Sequence, residues 1–138
     1  DDTPISCMML DADGFKQIND SHGHDAGDVV LRELSRQLVR SVRNDDIVCR
    51  LGGDEVLVIC AGTGWQDAMK VAEKVRKGVS ELRVPAGAGL WMGSVSIGVA
   101  TRALGMSGTE ELMKVADEGV YAAKRNGRNC VASQQVPG

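Results

Sequence analysis

The chain has 138 residues, is 43% hydrophobic and 25% charged, and carries a net charge of −3. That length corresponds to a single domain, with enough apolar content to bury a core without disulfide or metal staples. Net acidity and only 3% aromatic residues argue against a basic, base-stacking platform for nucleic acid. The longest apolar run, residues 56–61, is six residues long, too short for a bilayer span or a signal segment. No direct membrane contact is expected.

Residues 5–10 form a short apolar run closed by Asp11, the pattern of a buried strand. An acidic segment follows: seven Asp precede position 29, with one Lys and both histidines. Val30, Leu34, Leu38 and Val42 recur every fourth residue and predict an amphipathic helix over about residues 25–43. Asp25 and Asp28 fall in its first turn, where they complement the helix dipole. Residues 47–51 and 55–60 read as two strands joined across Gly52-Gly53, a hairpin signal. Ala68, Val71, Ala72, Val75, Val79 and Leu82 mark a second long helix, and the Gly-rich stretch 85–93 reads as a loop or hairpin tip. Val95, Ile97 and Val99 alternate with small residues as in a strand. Ser107 with Glu110 predicts a capping box for a third helix carrying Leu112, Met113, Ala116, Val120 and Ala123. The order β-α-β-β-α-β, then a helix, predicts a ferredoxin-like α+β sheet with helices on one face and the first and third strands adjacent at its centre.

Cys7, Cys49, Cys60 and Cys130 lie too far apart in sequence for a zinc or redox pair, and read as buried thiols in a reducing compartment. Two acidic sites fall at strand ends: Asp11 closes the first strand, and Asp54-Glu55 follow the glycine turn. Adjacent central strands would let them share hard cations through carboxylate oxygens. The competing reading of Gly-Gly-Asp is a polar hairpin turn. Asp11-x-Asp13-Gly14 fails as a calcium loop, because Phe15 and His22 occupy ligand positions. His22-x-His24 lacks a third metal ligand of matching spacing, which favours a turn histidine or a substrate contact. Lys16, Lys124 and Arg128 suit phosphate oxygens, or are solvated surface cations.

Five segments occur in order: Asp11-Ala-Asp-Gly-Phe-Lys-Gln-Ile-Asn-Asp20; Gly23-His-Asp-Ala-Gly-Asp28; Arg50-Leu-Gly-Gly-Asp-Glu-Val56; Ser96-Ile-Gly98; and Ala116-Asp-Glu-Gly-Val-Tyr-Ala-Ala-Lys124 with Gly127-Arg-Asn129. Together the chain resembles the GGDEF-type diguanylate cyclases over nearly its whole length. The opening segment that usually precedes the first strand is missing, so the chain reads as a catalytic module cut from a larger regulated protein. The resemblance implies a nucleotidyl-cyclase or polymerase-palm-like sheet with flanking helices. It also implies the condensation of two GTP into cyclic di-GMP and two pyrophosphates across a homodimer. By the same likeness Asp11, the Ala12 carbonyl and Asp54 match ligands for two Mg2+ or Mn2+ ions. Asp54 also matches the group that takes the proton from the attacking 3′-hydroxyl, with Glu55 its essential neighbour. Lys16 matches a triphosphate contact, together with the backbone at Gly14 and Phe15, and Lys124 and Arg128 match further phosphate contacts. Asn19, His24 and Asp28 match the nucleotide-binding set, Asn19 and Asp28 reading the guanine edge.

Val56 stands where the family motif has Phe, and is expected to pack with some lost volume. Arg43-Asn-Asp-Asp46 matches the family's inhibitory site for its own product; by composition alone it is a helix-terminal Arg beside turn acids. Lys74 stands where the supporting residue is usually Arg, and lacks the bidentate fork. The resemblance implies a cytoplasmic signalling module whose parent protein carries a regulatory domain and can be membrane-tethered. A catalytically weak receptor for GTP or cyclic di-GMP is the alternative. A palm-like transferase acting on nucleic acid is disfavoured by the missing basic stripe.

Overall fold

The computed structural model describes residues 3–103, 105–106 and 108–135. In chain order the elements are β1 (Ile5–Ala12), α1 (Phe15–His22), α2 (His24–Ser41), β2 (Ile47–Gly52), β3 (Glu55–Ala61), α3 (Trp65–Ser80), β4 (Arg83–Ala86), β5 (Gly89–Met92), β6 (Val95–Thr101), α4 (Thr109–Arg125) and β7 (Cys130–Ala132). Five strands form one sheet in the order β2-β3-β1-β6-β7, and β4-β5 form a separate hairpin. The hairpin occupies the Gly-rich stretch. As expected from the α+β pattern, β1 is central, antiparallel to both β3 and β6; β7 runs parallel to β6. No helix among the described residues is long and apolar enough to cross a membrane.

The expectation of helices on one face is corrected. Met8, Leu10, Val56 and Val58 point into the larger core with Val30, Leu34 and Leu38 of α2 and Ala72, Val75 and Val79 of α3. Their neighbours Cys7, Met9 and Leu57 point the other way and pack against Leu112, Ala116 and Val120 of α4. A helix on each side explains why seven consecutive residues of β1, from Ser6 to Ala12, are buried. Close approach of α4 is possible because Gly98 on β6 faces Gly119. A Cβ built on Gly98 would stand 1.9 Å from the Ala116 carbonyl oxygen and 2.4 Å from the Val120 nitrogen.

Val56 is 1% exposed within the larger core, so it packs as expected for the position. The predicted capping role of Ser107 lies outside the described residues. The residue preceding α4 is Gly108, which offers no side-chain cap.

Candidate active site

The site is built where β1 ends beside the β2–β3 turn. Asp11 pairs in register with Glu55, and the Ala12 N–H donates to the Asp54 carbonyl at 3.2 Å. The turn is tight because Gly53 adopts φ +49, a left-handed conformation that a side chain would strain. These two constraints bring the Asp11 and Asp54 carboxyls together. Both line a cleft of about 920 Å³, along with Gly14, Phe15, Lys16, Lys124 and Arg128.

Asp11 is 8% exposed. Its Oδ2 is ion-paired to Lys124 Nζ, while Oδ1 is buried without a hydrogen-bond partner. Burial pushes the Asp11 carboxyl up to about 6, the neighbouring Asp54 carboxyl pushes the same way, and Lys124 opposes both. Burial also raises Glu55, helped by the charges of Asp117 and Asp11. For Lys124, burial pulls down, but the hydrogen bond to Asp11 and the charges of Asp11 and Asp54 outweigh it and the ammonium ion is stabilised. Two carboxyls this close call for a proton or a cation between them.

Lys16 is the second residue of α1, exposed at the helix start, where the first N–H groups have no intrahelical partner. Lys124 sits near the end of α4, and Arg128 lies in the turn that follows it. Three cations from two separate helix ends therefore line the cleft that holds the carboxylate pair, and Lys124 pairs with it directly. The donor set fits a hard divalent cation: a buried, unpartnered carboxylate oxygen, a second carboxylate and a nearby carbonyl at Ala12. No group of three or more His, Cys, Asp or Glu side chains converges as a metal centre among the described residues. Any ion held here would thus complete its shell with water or substrate oxygens, as Mg2+ commonly does.

Asn19, His24 and Asp28 do not line this cleft. Asn19 instead lies against α2, where a Cβ on Gly27 would stand 2.3 Å from its Oδ1, an atom that is buried and unpartnered. Asn19 is thereby set beside the α2 residue that precedes Asp28. His24 and Asp28 are exposed on the first turns of α2. His22 is the last residue of α1 rather than a turn residue, and it packs on the β4–β5 hairpin close to Gly89.

At the far end of β3, the Arg43 N–H donates to Asp46 Oδ2 at 2.9 Å. The Arg43 Nη2 reaches Asp46 Oδ1 at 3.4 Å, the Ala61 carbonyl at 3.2 Å and the Thr63 hydroxyl. The Asp46 side chain is 0% exposed whereas that of Arg43 is 56% exposed. Lys74 is exposed on α3.

Sequence reasoning passed over Trp91, whose indole N–H donates to the Asp13 carbonyl at 2.7 Å and braces the turn carrying Gly14. A lone aromatic in a Gly-rich stretch was the available signal.

The sheet order and the helices on both faces define a palm-like α+β domain, with a carboxylate pair and three cations lining one cleft. A sequence model described as "Diguanylate cyclase, GGDEF domain" matches residues 1–130, and the chain belongs to the GGDEF domain family. It is 44% identical over 133 residues to the response regulator PleD of Caulobacter vibrioides, covering 95% of this chain and 29% of that protein. It is 39% identical over 130 residues to diguanylate cyclase DosC of Escherichia coli, covering 94% of this chain and 28% of that protein. The chain thus spans under a third of these curated relatives. Among solved structures, the active GGEEF domain of a diguanylate cyclase from Vibrio cholerae superposes with a TM-score of 0.85 at 31% identity, over 97% of this chain and 85% of that one. The GGDEF domain of DgcB from Caulobacter crescentus, in complex with c-di-GMP, gives 0.85 at 33% identity, over 94% of this chain and 77% of that one.

Proposed function

We propose that this domain is a diguanylate cyclase that joins two GTP into cyclic di-GMP, releasing two pyrophosphates. The observation that carries the reading is the Asp11–Asp54 pair, with one buried, unpartnered oxygen, at the floor of a cleft lined by Lys16, Lys124 and Arg128. Phosphoryl transfer asks for in-line positioning and charge stabilisation more than for covalent chemistry, and this cleft is built for both.

Asp11, the Ala12 carbonyl and Asp54 would hold Mg2+ or Mn2+, two ions per GTP site, which supply Lewis-acid stabilisation of the attacking and leaving oxygens. Lys16 and the first N–H groups of α1 bind the triphosphate, and Lys124 and Arg128 offset its remaining charge. Asp54 takes the proton of the attacking 3′-hydroxyl, whose oxygen bonds to the α-phosphorus as the pyrophosphate oxygen leaves. Glu55 stands beside it on β3. Asn19 and Asp28 accept from guanine N–H groups; adenine lacks those donors and would leave the acceptors unpaired. One such cleft holds one GTP, so a homodimer brings two 3′-hydroxyls to two α-phosphates. Arg43, held by Asp46, with Lys74, binds the product away from the cleft.

The test incubates the protein with GTP and Mg2+ and identifies the product by mass. Cyclic di-GMP is expected, and Asp54→Asn is expected to lower turnover by roughly a hundredfold or more while the fold persists, since it removes a ligand charge and a proton acceptor at constant volume. Wild-type turnover by folded Asp54→Asn would overturn the assignment. Nucleotide binding without product would favour the receptor alternative.

A further inference from the structure

Asp13 lies two residues beyond Asp11 and also borders the cleft, but its carboxylate is hydrogen-bonded within the protein. Its Oδ1 accepts from the Ser96 hydroxyl at 2.8 Å, and its Oδ2 accepts from the Ser94 hydroxyl at 2.6 Å and the Asn129 backbone N–H at 3.1 Å. Its own N–H donates to the Ser94 carbonyl at 3.0 Å, and its carbonyl accepts from Trp91 at 2.7 Å. One residue therefore ties the end of β1 to β5, to the start of β6 and to the turn between α4 and β7. Its carboxylate is committed to these internal partners.

That last turn is the informative one. Arg128 has φ 64 and Asn129 has φ 47; they are the non-glycine residues with positive φ among the described residues. Two consecutive side chains in the left-handed region are disfavoured unless something holds them. Two hydrogen bonds do so: the Arg128 N–H to the Ala123 carbonyl at 3.0 Å, and the Asn129 N–H to the Asp13 carboxylate. The second is charge-assisted and is the stronger type. The result of this bend is that Arg128 lines the cleft.

We propose that Asp13 is a positioning residue for substrate, holding the 127–129 turn so that Arg128 reaches the phosphates of a bound nucleotide. The inference rests on the reading that GTP occupies the cleft.

A double-mutant cycle tests it, with affinity for a GTP analogue carrying a non-hydrolysable α–β bridge as the readout. Asp13→Ala is expected to weaken binding roughly tenfold in the wild-type background and by less than about twofold in Arg128→Ala, because residues acting through one another are non-additive. Asn129→Gly, which adopts a positive φ without strain, is expected to restore most of the affinity of Asp13→Ala. Hydrogen exchange at the Asn129 amide, read without nucleotide, speeds up in Asp13→Ala. If Asp13→Ala does not fold, Asp13→Ser, whose hydroxyl ends one bond short of Oδ2, takes its place in the cycle. Equal losses in both backgrounds, or unchanged exchange at Asn129, overturn the proposal while leaving the cleft reading intact. A wild-type protein that binds no GTP analogue overturns the cleft reading and this inference with it.

Discussion

Cys7 and Cys60 face opposite sides of the same sheet, Cys7 toward α4 and Cys60 toward α2 and α3, and burial pushes their thiols up to about 11 and about 12. A thiol whose folded value exceeds its unfolded value of 9.0 favours folding fully below pH 9, and that contribution is lost as pH rises through 11 and 12. The urea midpoint is therefore expected to fall between pH 9 and pH 12, and less steeply in a Cys7→Ala, Cys60→Ala double variant. Native protein at neutral pH should alkylate first at Cys49 and Cys130, which are only partly buried. At Arg43, one guanidinium nitrogen is anchored to the protein while the side chain stays 56% exposed, an arrangement suited to presenting the free edge to a phosphate. Arg43→Ala is expected to weaken cyclic di-GMP binding roughly tenfold, on the order of one hydrogen bond to a charged group, and to relieve inhibition that is non-competitive with GTP. Direct titration and an inhibition series at several GTP levels check both. Asp11 and Asp54 were legible from their strand-end positions because adjacency of β1 and β3 follows from the element order. That Asp46 is wholly shielded was not legible, because the side chain's direction depends on the Arg43 N–H.

At the scale of elements, α4 decides how the sheet is covered. The mostly apolar run over residues 5–10 of β1, broken only by Ser6, carried the hint of burial on two faces, but the period-two spacing of Val95, Ile97 and Val99 on β6 suggested one. The small residues between them, Ser96, Gly98 and Ala100, are small because a helix lies on them, and 0% of Ser96 and Ala100 is exposed. Gly98→Ala is expected to destabilise the domain by about 3 kcal/mol, the upper range for overpacking, since the new methyl meets backbone atoms that cannot rotate away. Denaturant unfolding measures the loss. GTP turnover should fall further than stability alone requires, because α4 also carries Lys124 to Asp11. The α1 helix escaped the periodicity reading: with eight residues and only Phe15 and Ile18 buried, it holds too few turns to show a repeat. β7 escaped too, being three residues long and only partly buried. Long periodic helices such as α2 and α3 were readable within a few residues because each repeats its apolar face over four turns or more.

Seen as a whole molecule, the cleft at the end of β1 holds a single carboxylate pair among the described residues, while the proposed product needs two reacting 3′-hydroxyls. Specific activity is therefore expected to rise with protein concentration and level off as dimers saturate. A dilution series with sedimentation at each assay concentration checks this. Constant activity from a sedimenting monomer would contradict it.

Trp91 gives the molecule one property of practical use. Its indole is 3% exposed and hydrogen-bonded at 2.7 Å to the carbonyl of Asp13 in the turn that borders the cleft, whereas Trp65 is bonded to Ser133 on β7's side of the sheet. The protein thus carries a built-in optical reporter beside the proposed nucleotide site, and Trp65→Phe leaves Trp91 as the sole tryptophan emitter. Binding of nucleotide should perturb that emission before any bond is made, so a rapid-mixing trace would time the arrival of GTP separately from the chemistry that follows.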